Sequence, residues 1–396
     1  MPGSANPSPH PAGGAEADGY RHMPERITSL DELARRLPGL VVTDDMRRTA
    51  RRYPFAVTPY YLSLIEVPDP SDPIFRQCVP DPGELIENPE LSADELGEFT
   101  RYSPVPGLIH RYPDRVVCMT TVFCPTYCRH CTRKRLVGKP AGEPTSAVLD
   151  AHVDYVRSHP GIKDVILSGG DPLTLPDERL EHLLARFRDI PSVDILRVGT
   201  RAPVTLPSRI DDALCATLEK YHPVWLNTQF NHPRELTPQA ATACDRLLRH
   251  GVPVSNQTVL LRGVNDAPET MEALCRGLLR VRVRPYYLFQ CDPVAGVEHF
   301  RTPVARGVRI LEHLQRALGG LGVPRLAADA VRAGGKVPIG PSYVLGHKNG
   351  RLVMRNADGE TVTYPDGPSD CSAGPAAPSR DPRPAAPRRN PPSPPG

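Results

Sequence analysis

The chain has 396 residues, a formal net charge of +3 and ten cysteines. This length allows one large domain with appendages, and cysteines this sparse do not build a small disulfide-rich scaffold. No basic run forms a continuous phosphate-binding face, no apolar stretch is long enough for a bilayer and no apolar segment opens the chain. We therefore expect a cytoplasmic protein that partners neither nucleic acid nor a membrane.

The two ends of the chain are predicted to be disordered tails, residues 1–28 and 367–396. Both are rich in proline and small residues and can bury too little apolar surface to offset the entropy of ordering. Residues 29–104 are predicted to form a helical N-terminal region. Its first helix follows Ser29, with Glu32 three residues on, which is the pattern of a capping box.

Three cysteines, Cys124, Cys128 and Cys131, follow an apolar β-type run at a CxxxCxxC spacing. A closed zinc site and a four-iron cluster each need four ligands, so three thiolates leave one iron of a cluster open. This spacing is typical of radical S-adenosylmethionine (SAM) enzymes, in which SAM chelates the open iron. Two alternatives are a zinc site that takes Cys118 as fourth ligand and a trio of inert buried thiols.

Between residues 105 and 340, apolar β-type runs alternate with helical patterns. After the first run the spacing is about thirty residues, the length of one βα unit. This rhythm predicts an α/β fold with a parallel sheet, a partial, open (β/α)6 barrel whose chemistry lies at the carboxyl ends of the strands. Residues 341–366 are predicted to form a C-terminal strand or hairpin. The six runs begin near Val116, Asp164, Val193, Pro223, Val252 and Arg284.

Polar groups follow each of these runs. After the second run stands Ser168-Gly169-Gly170-Asp171. Glycines there would let the backbone approach a ligand closely, and a plain turn is the alternative. Later runs end in Thr200-Arg201, Asn227-Thr228-Gln229, Asn256-Gln257 and Gln290-Cys291-Asp292.

Lys336 follows two glycines near the end of the barrel region. A Schiff-base lysine needs room for a planar cofactor and a desolvated site, which this setting could provide. A cofactor phosphate could be bound by Arg111, Tyr112 and Arg115, just before the first barrel strand. A surface basic turn is the alternative.

The chain as a whole resembles the lysine 2,3-aminomutase family of radical SAM enzymes that depend on pyridoxal phosphate (PLP), over about residues 30–365. The matching stretches are 111–133, SGGD at 168–171, KYHPVWLN at 220–227, NQTVLLRGVND at 256–266, RPYYLFQCD at 284–292 and EHFRTP at 298–303.

The resemblance implies an isomerase that moves the α-amino group of an amino acid to Cβ, with a [4Fe-4S] cluster, SAM and PLP as cofactors. It implies a flavodoxin- or ferredoxin-type electron donor and allows a homo-oligomer. By the same resemblance, Cys124, Cys128 and Cys131 hold the cluster, Lys336 binds PLP covalently, and Arg111, Tyr112 and Arg115 bind its phosphate. Residues 168–171 and Gln257 complete the cofactor-binding set.

The resemblance also places Arg133 at the substrate carboxylate, and Asp292 and Asp329 at the distal cation. A buried carboxylate pair favours a basic amino acid, because a desolvated cation is costly unless it is paired. The five N–H donors of a guanidinium suit two carboxylates at least as well as an ammonium does. We therefore favour L-arginine over L-lysine as the substrate. The β-amino acid product would serve secondary metabolism, for example the synthesis of an antibiotic.

Three departures from the family bear on the substrate. The segment between Asp329 and Lys336 lacks the family's proline and glycine run, Gln229 replaces a histidine, and only Cys371 remains of a C-terminal cysteine cluster, so no structural zinc is expected. Alternatives are an L-lysine 2,3-aminomutase, a relative that makes β-lysine for an elongation factor, and a catalytically silent zinc-binding scaffold.

Overall fold

The computed structural model describes residues 25–89, 91, 93–94, 96–330 and 335–367. Most of the two predicted tails, Cys371 and most of the segment between Asp329 and Lys336 therefore lie outside the described residues. The chain divides into two compact units, one up to Pro341 and one from Ser342 onward.

The first unit begins with short helices. The sequence places an aspartate or threonine before three of them, and these side chains accept hydrogen bonds from the first turn. Ser29 does precede the first helix, but its side chain makes no capping bond, and Glu32 instead pairs with Arg36 at 3.2 Å. After residue 85 the described residues up to 104 form turns. The helices are α1 (Leu30–Arg36), α2 (Asp44–Arg52), α3 (Pro59–Leu62) and α4 (Pro73–Cys78).

A nine-stranded sheet forms the centre of this unit, with its strands side by side in chain order. The second to eighth strands are parallel, and an antiparallel strand lies at each edge. The predicted α/β fold is confirmed: the six predicted runs are strands two to seven, and an eighth strand extends the parallel set. The strands are β1 (Leu108–Tyr112), β2 (Arg115–Thr121), β3 (Asp164–Gly169), β4 (Ile195–Gly199), β5 (Val224–Thr228), β6 (Val254–Leu260), β7 (Arg284–Gln290), β8 (Arg325–Ala330) and β9 (Gly335–Pro338).

Helices cover the outer face of the sheet, and the longer ones bury an apolar stripe against it. In α6, Leu180, Leu183, Leu184 and Phe187 are all buried, as their helical spacing predicts. They pack in one core with outward-facing strand residues such as Leu167. These helices are α5 (Ser146–Ser158), α6 (Asp177–Arg188), α7 (Ala202–Thr205), α8 (Asp212–Lys220), α9 (Pro238–Arg249), α10 (Pro268–Arg280) and α11 (Val304–Ala317).

Strands β3 and β4 alternate strictly between two environments. In β3, Val165 and Leu167 are buried against the helices, while Asp164, Ile166 and Ser168 face a cavity inside the curved sheet. Successive strand residues point to opposite faces, so the outer set is apolar and the inner set is mixed and polar. The inside of the barrel is therefore a site and not a second hydrophobic core.

Tyr112 links the two edges of the curved sheet. The backbone N–H of Lys336 on β9 donates to the hydroxyl of Tyr112 on β1 at 2.9 Å. Gly335 has φ of +89°, and a Cβ there would lie 3.1 Å from the same hydroxyl. A glycine is thus required where the edges approach.

The second unit contains an antiparallel three-stranded sheet, β10 (Val344–Lys348), β11 (Arg351–Arg355) and β12 (Thr361–Pro365). Across the described residues of the chain, none of the helices combines the length and the apolar character needed to cross a membrane.

Candidate active site

A cavity of about 860 Å³ runs through the inside of the barrel. Most of the predicted site residues line it, although they come from distant parts of the sequence. Cys124, Gly169, Gly170 and Asp171 lie outside this lining. The predicted site residues on the cavity wall are Arg111, Tyr112, Arg115, Cys128, Cys131, Arg133, Ser168, Gln257, Asp292, Asp329 and Lys336.

The three cysteines lie on the loop that leaves β2, in a setting that disfavours free thiolates. Burial raises the pKa of Cys124 well above its usual range, and burial raises the pKa of Cys131 to about 11. The neighbouring thiols add to both shifts, which shows that the trio is clustered. Buried thiols of this kind ionise when a metal centre compensates their charge, so the loop fits a group that supplies cationic iron. Among the described residues, no three His, Cys, Asp or Glu side chains are placed to hold a single metal ion.

Cys118 is the fourth ligand that the alternative zinc site requires. It lies on β2 with its side chain fully buried in the hydrophobic core, opposite Leu108 on one neighbouring strand and Leu167 on the other. Burial raises its pKa strongly. Cys118 is a core residue on the helix-facing side of the sheet.

The Gly169-Gly170-Asp171 segment packs behind the cysteine loop. A Cβ on Gly170 would lie 2.2 Å from the carbonyl oxygen of Phe123, and the N–H of Asp171 donates to that oxygen at 2.7 Å. The Asp171 carboxylate accepts hydrogen bonds from Thr200 and from the N–H of Arg201. The glycines thus fit β3 against the residue that precedes Cys124, and their role in binding SAM stays a prediction.

A buried ion cluster fastens the other side of the cysteine loop. Glu84 accepts hydrogen bonds from the guanidinium of Arg129 at 2.8 Å and from Nζ of Lys134 at 2.7 Å. All three side chains are almost fully buried. Burial lowers the pKa of Lys134 to about 8, against the opposing charge of Glu84. Sequence reasoning missed these residues, because nothing in the short turn that carries Glu84 reveals a partner forty-five positions away.

Arg201 connects the end of β4 to the same loop. Its Nη1 donates to Sγ of Cys128 at 2.9 Å, and its Nη2 donates to Glu235 at 2.7 Å. The neighbouring acidic groups raise the pKa of Arg201 although burial opposes this. The sequence marked Arg201 only as a polar strand end, and the structure makes it a contact of a predicted cluster ligand.

His130 directly precedes Cys131, and one of its two ring nitrogens has no hydrogen-bond partner. Its Nε2 lies 2.9 Å from the amide nitrogen of Gln229, while its Nδ1 is buried and has no partner. An amide donor at Nε2 leaves the ring proton on Nδ1. His130, Gln229, Ser168 and Gln257 line the same cavity, so this wall fits a polar ligand such as SAM.

Lys336 stands on another part of the cavity wall, on the edge strand β9. Its Nζ donates to Asp329 at 2.8 Å and lies 4.6 Å from the centre of the Phe289 ring. Its side chain is 37% exposed.

Two arginines lie near this strand, each beside a tyrosine ring. The guanidinium of Arg115 lies 4.0 Å over the ring of Tyr112, and the guanidinium of Arg111 lies 5.0 Å from the centre of the Tyr102 ring. An amine, an aromatic face and two guanidiniums on one wall fit a phosphorylated planar aldehyde such as PLP.

Asp292 and Asp329 share this part of the cavity. Burial, together with the charge of Asp329, raises the pKa of Asp292 to about 7, while Lys336 opposes the shift. Two carboxylates that repel each other in this way favour a cationic ligand between them. Asp329 already pairs with the ammonium of Lys336, which is the kind of group that a substrate cation would supply.

Arg133 follows the cysteine loop and points into the cavity. Its Nε and Nη2 both donate to the carboxylate of Glu98, at 2.8 and 2.6 Å. Glu98 lines the cavity as well. The predicted carboxylate-binding arginine therefore has a protein partner that the sequence did not reveal, since Glu98 lies in an irregular segment before β1.

Comparison with known proteins bears directly on this site. The profile of the radical SAM superfamily matches residues 118–274, and that of lysine-2,3-aminomutase matches residues 311–379. The chain is 46% identical over 340 residues to L-lysine 2,3-aminomutase of Clostridium subterminale, covering 86% of this chain and 82% of that protein.

Two other relatives show the breadth of the match. A putative L-lysine 2,3-aminomutase of Aquifex aeolicus is 48% identical over 86% of this chain and 92% of that protein. Glutamate 2,3-aminomutase of Clostridioides difficile is 39% identical over 88% of this chain and 82% of that protein.

Proposed function

The chain belongs to the lysine 2,3-aminomutase family and is a radical SAM aminomutase, and from this premise we propose that it moves the α-amino group of a basic L-amino acid to Cβ. The product is a β-amino acid. The carrying observation is that the paired carboxylates Asp292 and Asp329 share one cavity with Arg133 and Lys336.

Members of this family work with a [4Fe-4S] cluster, SAM and PLP. Bound SAM and cluster supply a carbon-centred radical that can take a hydrogen from an unactivated Cβ, and bound PLP supplies a conjugated π system for the migrating nitrogen. In this chain Cys124, Cys128 and Cys131 would hold the cluster, and Lys336 would hold PLP. Ser168, Gln257 and the segment 169–171 would bind SAM, and Arg111, Tyr112 and Arg115 would bind the PLP phosphate.

The substrate would be held at both ends by residues of the barrel. Arg133 would bind the α-carboxylate, and the two aspartates would receive the side-chain cation. Cα and Cβ would then be fixed inside the cavity that Cys131 and Lys336 both line. Once Lys336 holds PLP, a substrate that lacks the distal cation would leave Asp292 and Asp329 without a cationic partner. A substrate with a distal carboxylate, as in the glutamate enzyme of C. difficile, would add a third negative charge.

We propose L-arginine as the substrate and L-lysine as the second candidate. A guanidinium offers five donors in a plane and can serve both aspartates at once, whereas an ammonium is a compact point charge. Lysine is supported by the relatives that bear its name, at 46–48% identity. The product β-arginine would serve as a building block for a secondary metabolite such as an antibiotic.

We further propose that a flavodoxin- or ferredoxin-type protein donates the electron that starts the reaction, and that the chain forms a homo-oligomer.

A substrate panel tests this proposal. Reconstituted enzyme with dithionite and SAM is given arginine, lysine, glutamate and norleucine, and each β-amino acid is quantified. Asp292→Asn is measured alongside, because Asp329 also contacts Lys336 and its replacement would disturb two functions. We expect Asp292→Asn to lower kcat/KM for the cationic substrates by about two to four decades, the effect of removing one buried ionic partner.

The control is norleucine, which has no distal charge for Asp292 to bind. Its slow turnover should be nearly unchanged in Asp292→Asn. An equal fall for norleucine and arginine would mean that Asp292 supports the fold and does not read the substrate. A preference of the wild type for glutamate would refute the basic substrate.

A further inference from the structure

Glu98 occupies one particular edge of the Arg133 guanidinium. It takes the N–H of Nε and one N–H of Nη2, at 2.8 and 2.6 Å. A guanidinium has five N–H groups, so the end formed by Nη1 and the second hydrogen of Nη2 is left for another acceptor. That end can make a second paired hydrogen-bond contact with a carboxylate. Both side chains are mostly buried, at 15% and 17% exposure, and both line the cavity.

The turn that carries Glu98 is fastened to the same short segment at a second point. Asp94 accepts hydrogen bonds from the N–H groups of Glu98 and Phe99, and also pairs with Arg135 at 3.1 Å. The guanidinium of Arg135 lies 4.7 Å from the centre of the Phe99 ring. The carboxylates of Asp94 and Glu98 therefore pair with Arg135 and Arg133, respectively. Arg135, unlike Arg133, is not part of the cavity wall.

We propose that Glu98 is a positioning residue that fixes the plane of Arg133, so that its free end is presented to the α-carboxylate of the substrate. This inference rests on the proposed function, in which Arg133 binds that carboxylate. An arginine side chain has several rotatable bonds. Two hydrogen bonds to Glu98 remove most of that rotational freedom before the substrate binds. Glu98 acts through Arg133 and does not touch the reacting atoms.

The geometry distinguishes this role from competition. A carboxylate that competed with the substrate would occupy the Nη1–Nη2 end, and its removal would tighten binding. Glu98 occupies the side edge, so its removal should loosen Arg133 and weaken binding. The sign of the effect therefore separates the two roles.

The test is Glu98→Gln in reconstituted holoenzyme, which keeps the size but accepts only one of the two hydrogen bonds. Dissociation constants are measured from the change in the visible absorption of PLP as arginine or argininamide is added, and kcat and KM are measured for arginine. We expect Kd and KM for arginine to rise about tenfold with kcat changed less than about threefold, as for loss of one charge-assisted hydrogen bond.

Two controls make the result specific. Argininamide lacks the α-carboxylate, so its Kd should be the same in wild type and Glu98→Gln. Arg135→Gln breaks the neighbouring pair of the same turn and should leave Kd for arginine within about twofold. In an Arg133→Gln background, Glu98→Gln should add nothing, because its partner is already gone.

Three results would overturn the inference. They are tighter or unchanged arginine binding in Glu98→Gln, equal weakening for argininamide, and an equal effect of Arg135→Gln. If wild-type holoenzyme gave no spectral response to arginine or to lysine, the proposed function would fail first, and this outcome is distinguishable because it does not involve Glu98.

Discussion

The cysteine loop and the strand of Lys336 line different parts of one cavity, and the protein holds them by different kinds of contact. The loop is fixed by buried charges, with Glu84 between Arg129 and Lys134 on one side and Arg201 against Cys128 on the other. Lys336 lies on an edge strand that is exposed apart from Gly335. We infer that buried charges hold the cysteine loop more firmly than the exposed edge strand holds Lys336.

The largest effect is expected from removing a proposed cluster ligand. Cys128→Ala should abolish SAM cleavage and lower bound iron, because two thiolates cannot hold a cluster with one open iron. Iron content and deoxyadenosine release measure this. Cys118→Ala is the matched control, since Cys118 lies in the core and should leave the iron content unchanged. Equal loss of iron in the two variants would mean that the three-cysteine assignment is wrong.

A smaller effect is expected from the buried ion cluster, which sharpens the contrast between the two regions. Glu84→Gln leaves Arg129 and Lys134 without their shared carboxylate. We expect the free energy of unfolding to fall by about 3 kcal/mol, the low end for a broken buried pair, because Lys134 can lose its proton. Urea unfolding followed by circular dichroism measures it.

The control for this variant is an exposed ion pair on α5. Asp154→Asn removes a contact of 3.6 Å between two exposed side chains. Its effect on unfolding should stay within about 0.5 kcal/mol. Similar losses in Glu84→Gln and Asp154→Asn would show that the buried cluster does not stabilise the loop.

The smallest effect concerns pH and the region of Lys336. Burial and the charge of Asp329 raise the pKa of Asp292 to about 7. A cationic substrate needs the ionised carboxylate, so its binding should tighten as pH rises and level off above that pKa. Between pH 6 and 8 the ionised fraction grows about tenfold, and the Kd of arginine relative to norleucine should fall by about that factor. The ratio cancels the titration of the α-amino group.

Asp292→Asn should remove this pH dependence and leave the norleucine affinity in place. A slope that survives in the variant would assign the titration to another group of the cavity. The coupled pair would then have to be treated as one unit.

The sequence predicted the parts of the fold that repeat. Apolar runs begin near the starts of β2 to β7 because helices cover the outward face of each strand. Each strand and its helix together take about thirty residues, so the runs recur at that spacing. The strand Arg325–Ala330 was missed because its run is short and ends in the polar residues of the site. The edge strand Gly335–Pro338 carries no such pattern at all.

The cysteine spacing and the family resemblance together picked out residues that the structure places around one cavity, and the roles of these residues stay predictions. Pairs formed across long sequence distances were not predicted. Glu98 and Arg133 are thirty-five positions apart, and Glu84 and Arg129 are forty-five apart. Such pairs arise from the folded geometry, and one sequence contains no signal that links them.

The alternation along β3 and β4 has a consequence for how this enzyme can change. Residues such as Val165 and Leu167 face the helices, whereas Ile166 and Ser168, their direct neighbours, face the cavity. A substitution on the inner face alters the ligand environment without opening a void in the core, where large-to-small changes are costly. Substrate preference can therefore drift along one face of a strand while selection for folding acts on the other.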